Sequence, residues 1–287
     1  MSSAAARPPS EVAVTAAGLA VIALAALATS PLRASLSRRF DAGRAPLDEA
    51  TIPKVNVARV ISLGHTEWFA DLLWVNGTIY YGESLFARTE GRYLARYGEV
   101  MTSLDPSFRL PYLWAALALT YHTTDRTRED VERAVGFLDA GARRFPSDGE
   151  LQYQLGFALC VELAQRHPVD SPERARIIAR GAEHLRRAAL AGAGPEWLSL
   201  TAARYLTMSG RGSDAIEVLR DSLVRVDNAG YRSAIEQRLE GMIRANGAED
   251  PLLPAIRAAE QARQAEFPYL PSSLHLFIAP RALDAPP

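Results

Sequence analysis

The side chains that could perform acid–base or metal chemistry are few and widely spaced. The 287-residue chain contains five histidines and one cysteine, Cys160. His65 and Glu67 stand two residues apart, which places them on different faces of a helix, whereas zinc hydrolases carry their ligands on one face. The remaining histidines share no metal-ligand spacing: His122, His167, His184 and His275. The sequence therefore predicts no catalytic residues, no metal site and no cofactor.

Two further features look reactive but have simpler explanations. Residues 210–213 read Gly-Arg-Gly-Ser, yet no strand precedes them and no Lys-Ser or Lys-Thr follows, so we interpret them as an interhelical turn. Cys160 lies in an apolar helical stretch, where a free cysteine usually packs as a small hydrophobic residue. A single cysteine also excludes an intrachain disulfide. We expect the protein not to be an enzyme.

The charge balance argues against nucleic acid as a partner, and the content of hydrophobic residues indicates a large core. The chain has 32 basic and 33 acidic residues, a net charge of -1, and 48% hydrophobic residues. Nucleic-acid-binding domains usually show a basic face, so we expect no nucleic-acid partner, and no feature indicates a small-molecule substrate. Lys54 is the only lysine, and this arginine bias is associated with bacteria of high GC content.

Residues 12–32 predict a membrane anchor. They carry no charge, and 21 residues at about 1.5 Å each span roughly 31 Å, enough to cross the hydrocarbon core. We expect an uncleaved single-pass anchor in a bacterial inner membrane, with a cleaved signal peptide as the alternative because residues 26–28 read Ala-Leu-Ala. Arginines after the span favour a cytoplasmic body. The layout of many anchored periplasmic proteins favours the periplasm, so the side stays open.

The rest of the chain reads as an all-α body with short flanking segments. From residue 55 onward, apolar residues recur at helical spacing and no alternating strand pattern occurs. The predicted segments are a disordered tail at 1–11, a linker at 33–54, a repeat domain at 55–229, capping helices at 230–266 and a Pro-rich tail at 267–287.

The repeat domain divides into units of about 34 residues, each a helix, a turn and a second helix. The clearest unit is 196–229, in which Ala203, Leu206 and Ala215 recur at the spacing of such a unit. Each unit exposes apolar stripes that its neighbours must cover. Three earlier units precede it at 66–106, 111–146 and 151–190.

These motifs resemble the tetratricopeptide repeat family through Leu155-Gly156, Leu104-Asp105-Pro106, Phe145-Pro146 and the whole of 196–229. The resemblance covers roughly residues 55–246, and residues 64–83 are similar to membrane-anchored bacterial members of mostly unknown function. It implies a right-handed superhelix of about four helical hairpins with C-terminal capping helices. It also implies a concave groove lined by the first helix of each unit.

The groove implied by this resemblance is apolar and aromatic. Its predicted lining residues are Trp74, Tyr81, Leu113, Tyr121, Tyr153, Phe157, Trp197, Arg204 and Met208. Such a surface fits an apolar peptide or an amphipathic helix of another protein. Only Arg204 offers the positive charge that a clamp for acidic chaperone tails needs, which argues against that function. The alternative is that most of these side chains are packed between helices as core.

Two functions follow from this reading. The first is a membrane-anchored scaffold or assembly factor that recruits a partner, for example for a transporter, pilus or secretion complex. The second is a permanent structural subunit of a bacterial membrane complex with no recruiting role. The apolar tail segment 274–278 either packs on the C-terminal helices or occupies a groove in this molecule or in a partner.

Overall fold

The computed structural model describes residues 52–87, 91–122, 127–245 and 252–269. Within these ranges it contains eleven α-helices and no strand, which confirms the all-α prediction. The candidate anchor at 12–32 and the apolar segment at 274–278 lie outside the described residues. None of the helices in the described ranges is long and apolar enough to cross a membrane.

The helices are short and closely spaced along the chain. They are α1 (Val55–Ile61), α2 (Thr66–Ala87), α3 (Leu94–Leu104), α4 (Leu110–Tyr121), α5 (Arg128–Arg144), α6 (Gly149–Phe157), α7 (Pro172–Leu190), α8 (Leu198–Met208), α9 (Gly212–Arg225), α10 (Ala229–Ala245) and α11 (Leu252–Glu266). A π-helical segment, Ala158–Leu163, and a 3-10 turn, Ala164–Arg166, continue α6.

From α2 to α10, each helix packs against the next one along the chain. Helices two apart also touch, as α7 does with α9 and α8 with α10. This nearest-neighbour packing is typical of a helical repeat. The hairpins α2–α3, α4–α5, α6–α7 and α8–α9 correspond to the four units predicted from the sequence.

A glycine sets the closest approach of α6 and α7. A Cβ atom at Gly181 would lie 2.5 Å from the Cys160 sulfur and 3.1 Å from the Gly156 carbonyl oxygen, so no larger residue fits without displacement. The sequence predicts Ala182 and Ala189 as the small contact positions of this helix. Both are buried, but the tightest contact falls one residue before Ala182.

Side-chain caps fix where several helices begin. The Thr127 hydroxyl accepts from the Asp130 N–H and the Asp130 carboxylate accepts in return, which forms a capping box for α5. Ser171 caps α7. Asp148 caps α6 and also accepts two hydrogen bonds from the Arg109 guanidinium, so the start of α6 is tied to the residue before α4.

Helix α10 covers the last repeat unit, as predicted. Ile235 and Leu239 are fully buried and Ile243 is nearly so. Helix α11 differs from the prediction, which gave it an apolar face of Ala255, Ile256, Ala259 and Ala262. The three alanines are exposed and Ile256 is only partly buried. An alanine methyl group buries little area. Helix α11 contacts the core through Leu253 and Ile256, and ion pairs such as Arg257 with Glu236 and Glu240 join it to α10.

Candidate functional site

Aromatic side chains of α2 and α4 meet at the first of two clusters. The rings of Trp74 and Trp114 lie edge to face with centroids 5.9 Å apart, and those of Tyr81 and Trp114 do so at 6.3 Å. Phe108 contacts Trp74 at 5.5 Å. All four side chains are partly exposed. Trp74, Tyr81 and Trp114 are called the first aromatic cluster below.

Trp114 was missed in the sequence, and Leu113 was predicted in its place. Leu113 is only 8% exposed and packs in the core with Tyr112 and Ala116. Leu113 is therefore a core residue and not a groove residue. One step along a helix rotates a side chain by about 100°, so Trp114 faces a different direction. Trp114 packs against α2 at Gly77, where an added Cβ atom would lie 3.3 Å from the Trp114 ring and 3.2 Å from the Tyr97 ring. The signal available in the sequence was Gly77, a residue without a side chain on α2 against which the tryptophan can pack.

The second aromatic cluster joins two repeat units and consists of Tyr153, Phe157 and Trp197. Their ring centroids lie 6.1 Å (Tyr153 and Phe157), 6.2 Å (Tyr153 and Trp197) and 6.5 Å (Phe157 and Trp197) apart. Trp197 precedes α8 as its N-cap residue, whereas the other two belong to α6. All three side chains are partly exposed. Burial raises the pKa of Tyr153, and the nearby Glu150 carboxylate and Tyr121 phenol raise it further.

The remaining predicted residues are exposed. Tyr121 and Met208 each expose 55% of their surface. Arg204 is exposed, and its guanidinium lies 6.0 Å from the Tyr205 ring centroid. Arg204 and Met208 are four residues apart and therefore share a face of α8. Of the nine predicted groove residues, five fall in the two clusters, three are exposed and only Leu113 is buried.

This arrangement supplies partly exposed rings and little charge. Half-buried aromatic side chains offer large, rigid contact area and favour apolar ligands over ionic ones. A ligand that covered the rings would remove their remaining apolar surface from water, which is the main favourable term in such binding. The clusters therefore fit binding rather than covalent chemistry.

The π-helical segment follows Phe157 directly and contains Cys160. The cysteine is 3% exposed, and its thiol lies 3.7 Å from the Ile178 carbonyl oxygen. Burial raises the pKa of Cys160 to about 12. Since the thiolate is the nucleophilic form, this thiol is unreactive at neutral pH. π-Helical segments occur frequently at functional sites, and here the segment adjoins the second aromatic cluster.

Histidine 184 links α6 and α7 and has a structural environment. Its Nδ1 atom lies 2.7 Å from the Gln152 Oε1 atom, and the Gln152 amide donates to the Pro146 carbonyl at 3.1 Å. Burial lowers the pKa of His184, and Arg180 and Arg187 lower it further. In the described ranges, no group of three or more histidine, cysteine, aspartate or glutamate side chains could hold a metal ion.

A cavity of about 190 Å³ lies between the loop at 191–196 and the helices α8 and α9. The Arg225 guanidinium at its edge donates to the Leu190 and Ala189 carbonyls at 2.9 and 3.1 Å and so caps the carboxyl end of α7. The Ser199 hydroxyl, also at the cavity, has no hydrogen-bond partner in the part of the chain described. The size and polar lining of this cavity fit bound water.

A larger cavity of about 350 Å³ lies beside the expanded turn between α6 and α7. Three arginines in this region suggest an anion site, but each is paired with a carboxylate: Arg128 with Glu132, Arg176 with Glu173 and Arg180 with Asp139. The positive charge is therefore compensated, and the cavity does not favour phosphate.

A scan against protein-family models finds no match to this chain, and searches of curated proteins and of solved structures find none either. The tetratricopeptide interpretation therefore rests on the repeat motifs and on the packing of the helices.

Proposed function

We propose that this chain is a membrane-anchored scaffold or assembly factor of the tetratricopeptide repeat type. Its partner is another protein, which presents an apolar peptide or an amphipathic helix to the surface formed by the two aromatic clusters with Tyr121, Arg204 and Met208. The proposed location is a bacterial inner membrane, with the side of the repeat domain open. The proposal includes no catalytic activity, nucleic acid, cofactor or small-molecule substrate.

One observation carries this proposal: aromatic rings from consecutive units meet in pairs and triads yet stay partly exposed. The contacts of Tyr153 and Phe157 with Trp197 join α6 to the start of α8. Aromatic side chains are enriched where proteins bind one another because they bury much area with little loss of conformational freedom. Tyr121, which lies near Tyr153, and Met208 are exposed as well.

A permanent structural subunit is the second candidate, and a separate observation favours it. Ten of the sixteen exposed large hydrophobic side chains in the described ranges fall within residues 57–86. A concentration of exposed apolar side chains of this kind is typical of a region that is covered by another protein. A full chain that is stable alone and captures a partner reversibly supports the scaffold. If the chain is insoluble alone and becomes soluble only when a neighbouring subunit is produced with it, the structural subunit is supported.

Photo-crosslinking in the cells that produce the protein tests the binding surface. A photoreactive phenylalanine analogue replaces Tyr121, which is exposed and near Tyr153, and in a matched control it replaces Val169, which is 75% exposed. We expect one discrete protein adduct from position 121 and none of that mass from position 169. The adduct should weaken when Tyr153→Ser and Phe157→Ser are added. An adduct of equal yield in that background contradicts the proposal.

Paired reporter fusions after Pro287 address the location. One reporter is active only in the periplasm and the other only in the cytoplasm, so the active member identifies the side of the repeat domain. The anchor is contradicted if the reporter is equally active in the soluble fraction when it is fused to the full chain and when it is fused to a chain without residues 12–32.

A further inference from the structure

Helix α2 carries apolar residues on two opposite faces. Its inner face packs into the body, where Ala70 and Leu73 are buried. Its outer face exposes Trp68 (62%), Leu72 (38%), Val75 (53%), Ile79 (54%) and Phe86 (92%). A helix that is apolar all round is normally buried on all sides. The second face of α2 therefore lacks a partner within the described chain.

The exposed residues follow the spacing of a helix–helix seam. Trp68, Leu72, Val75, Ile79 and Phe86 are separated by four, three, four and seven residues, with Gly82 at the intervening position. Alternating steps of three and four form a single stripe along a helix and pack against a second helix. We call these six residues the outer stripe.

The outer stripe is large enough for a specific interface when it is paired with itself. Its exposed side chains leave on the order of 500 Å² of apolar surface, given about 150–250 Å² for each whole aromatic side chain. That is at the upper end of patches on monomeric proteins, about 300–600 Å². Two such stripes would bury about 1,000 Å², near the lower limit of specific protein interfaces.

Charge argues against a lipid surface as the cover. Helices that lie on membranes carry Lys or Arg beside the apolar face. Residues 66–87 contain no basic residue, and their charged side chains are Glu67, Asp71 and Glu83. Asp71 and Glu83 flank the outer stripe, one on each side, where they would face anionic headgroups.

The outer stripe is complementary to a second copy of itself in the antiparallel direction. Centred on residue 77, that pairing places Trp68 against Phe86 of the second copy, Leu72 against Gly82, and Val75 against Ile79. Leu72 then packs against a glycine, which leaves room for its side chain, and the aromatic side chains Trp68 and Phe86 meet at each end of the stripe. The pairing places Asp71 level with Glu83 of the second copy but on the opposite side of the stripe, and about 18 Å along the axis from its own counterpart.

We infer that α2 forms an antiparallel, two-fold symmetric helix pair with α2 of a second copy of this chain through the outer stripe. This interface is distinct from the aromatic clusters, and it does not rest on the proposed binding of a partner there. A closed two-fold contact of this kind uses the same patch on both subunits.

Site-directed disulfide formation tests the pairing in the full chain in native membranes. Two differently tagged chains are produced together, one with Val75→Cys and the other with Ile79→Cys, which the antiparallel pairing places opposite each other. The native Cys160 is 3% exposed, so the unsubstituted chain serves as a background control. Glu67→Cys in both chains is the matched control, since Glu67 is exposed on the same helix but off the stripe.

We expect a covalent dimer carrying both tags from the Val75→Cys and Ile79→Cys pair, well above the Glu67→Cys control. Leu72→Cys in both chains should give little, because those positions lie about 15 Å apart along the axis in the antiparallel pair. Three outcomes overturn the inference: no dimer above the control, a dominant Leu72→Cys dimer, or covalent adducts to other proteins in place of the dimer.

A mass measurement in mild detergent provides the second test. Val75→Glu with Ile79→Glu should raise the dimer dissociation constant by at least about tenfold per charge, because carboxylates would be buried without partners. Both positions are exposed in one chain, so the helical content should be unchanged. Val169→Glu, at an exposed position in the α6–α7 turn, should leave the dimer intact. A dimer that resists the stripe substitutions, or a wild-type monomer, contradicts the pairing.

Discussion

The rings of Tyr153 and Trp197 lie edge to face with centroids 6.2 Å apart, although the two residues belong to different repeat units. Gly194, which has a φ of +82°, brings the chain close to Tyr153 just before Trp197. The position of Trp197 is thus fixed by the loop that joins the units. The second aromatic cluster is a property of the junction and not of one helix.

Trp197→Ala should remove both ring contacts at modest cost to stability. Edge-to-face pairs contribute about 0.5–1.5 kcal/mol each, and the ring is already partly exposed, so we expect unfolding to become easier by about 1–3 kcal/mol. Leu155→Ala is the comparison, since Leu155 is fully buried and such a change costs about 2–5 kcal/mol. Denaturation followed by circular dichroism measures both. An equal or larger loss for Trp197→Ala would show that this ring is core.

Gly181→Ala should destabilise the protein even though alanine favours helices. The added methyl would lie 2.5 Å from the Cys160 sulfur and 3.0 Å from the Leu159 Cβ atom, and overpacking of this kind costs about 1–3 kcal/mol. Gly136→Ala in α5 is the matched control, because no atom lies within 4 Å of its Cβ position. That substitution should stabilise the protein by about 0.5–1 kcal/mol. If the two substitutions shift the melting temperature in the same direction, the close contact at Gly181 is refuted.

Asp148→Ala should lower stability because it removes a helix cap and an ion pair together. Asp148 accepts from the Leu151 N–H at 3.0 Å and from the Arg109 guanidinium. Loss of an N-cap costs about 0.5–2 kcal/mol, while the partly exposed ion pair adds little. Asp170→Ala, at an exposed position in a turn, should stay within about 0.5 kcal/mol of the parent chain. If the two variants unfold at the same denaturant concentration, the cap has no energetic role.

The free energy of unfolding should fall as the pH drops through the range in which a histidine of the unfolded chain becomes protonated. The pKa of His184 is lowered in the folded state, so below about pH 6.5 the unfolded chain binds a proton that the folded chain does not. Unfolding therefore becomes more favourable as the pH falls from about 7.5 toward the folded pKa. His184→Gln should flatten this dependence, and His65→Gln, at an exposed position, should not. Denaturant titrations at several pH values show whether the slope persists in His184→Gln.

A second pH effect should occur in acid. Hydrogen bonds from Arg186, Arg187 and Arg211 outweigh burial and lower the pKa of Glu183 to about 2. The stabilising contribution of this carboxylate is therefore present above its usual pKa near 4.5 and is lost as the pH falls toward 2. Glu183→Gln should remove that acid-range loss. An unchanged acid transition in this variant would show that the arginine contacts do not favour the charged form.

The sequence was sufficient for the features that depend on spacing. The four hairpins follow from apolar periodicity and turn residues, and the cover by Ile235, Leu239 and Ile243 follows from their recurrence every four residues. The angular position of a side chain is harder to predict. Leu113 and Trp114 are neighbours, and the tryptophan is the one that lies against α2, where it contacts Trp74 and Tyr81.

Other features depended on contacts that the sequence pattern does not encode. The π-helical segment Ala158–Leu163 differs from an α-helix in hydrogen-bond register, and its composition of five apolar residues and Glu162 does not distinguish it from an α-helix. The Arg109 and Asp148 pair joins the residue before α4 to the residue before α6, so no local pattern predicts it. The ion pairs of α11 are also not predicted, because helical spacing indicates an apolar stripe that contains its alanines.

These ion pairs make the carboxyl end of the body sensitive to salt. Arg257 binds Glu236 and Glu240, and Arg232 lies 3.7 Å from Glu260, whereas the described apolar side chains of α11 that contact the core are Leu253 and Ile256. Interactions between charges at the surface weaken as ionic strength rises and the screening length falls below about 10 Å. High salt should therefore release α11 before the rest of the protein and increase amide exchange in α10. The protein would then unfold locally from its carboxyl end at high salt, although Leu253 and Ile256 still contact the core.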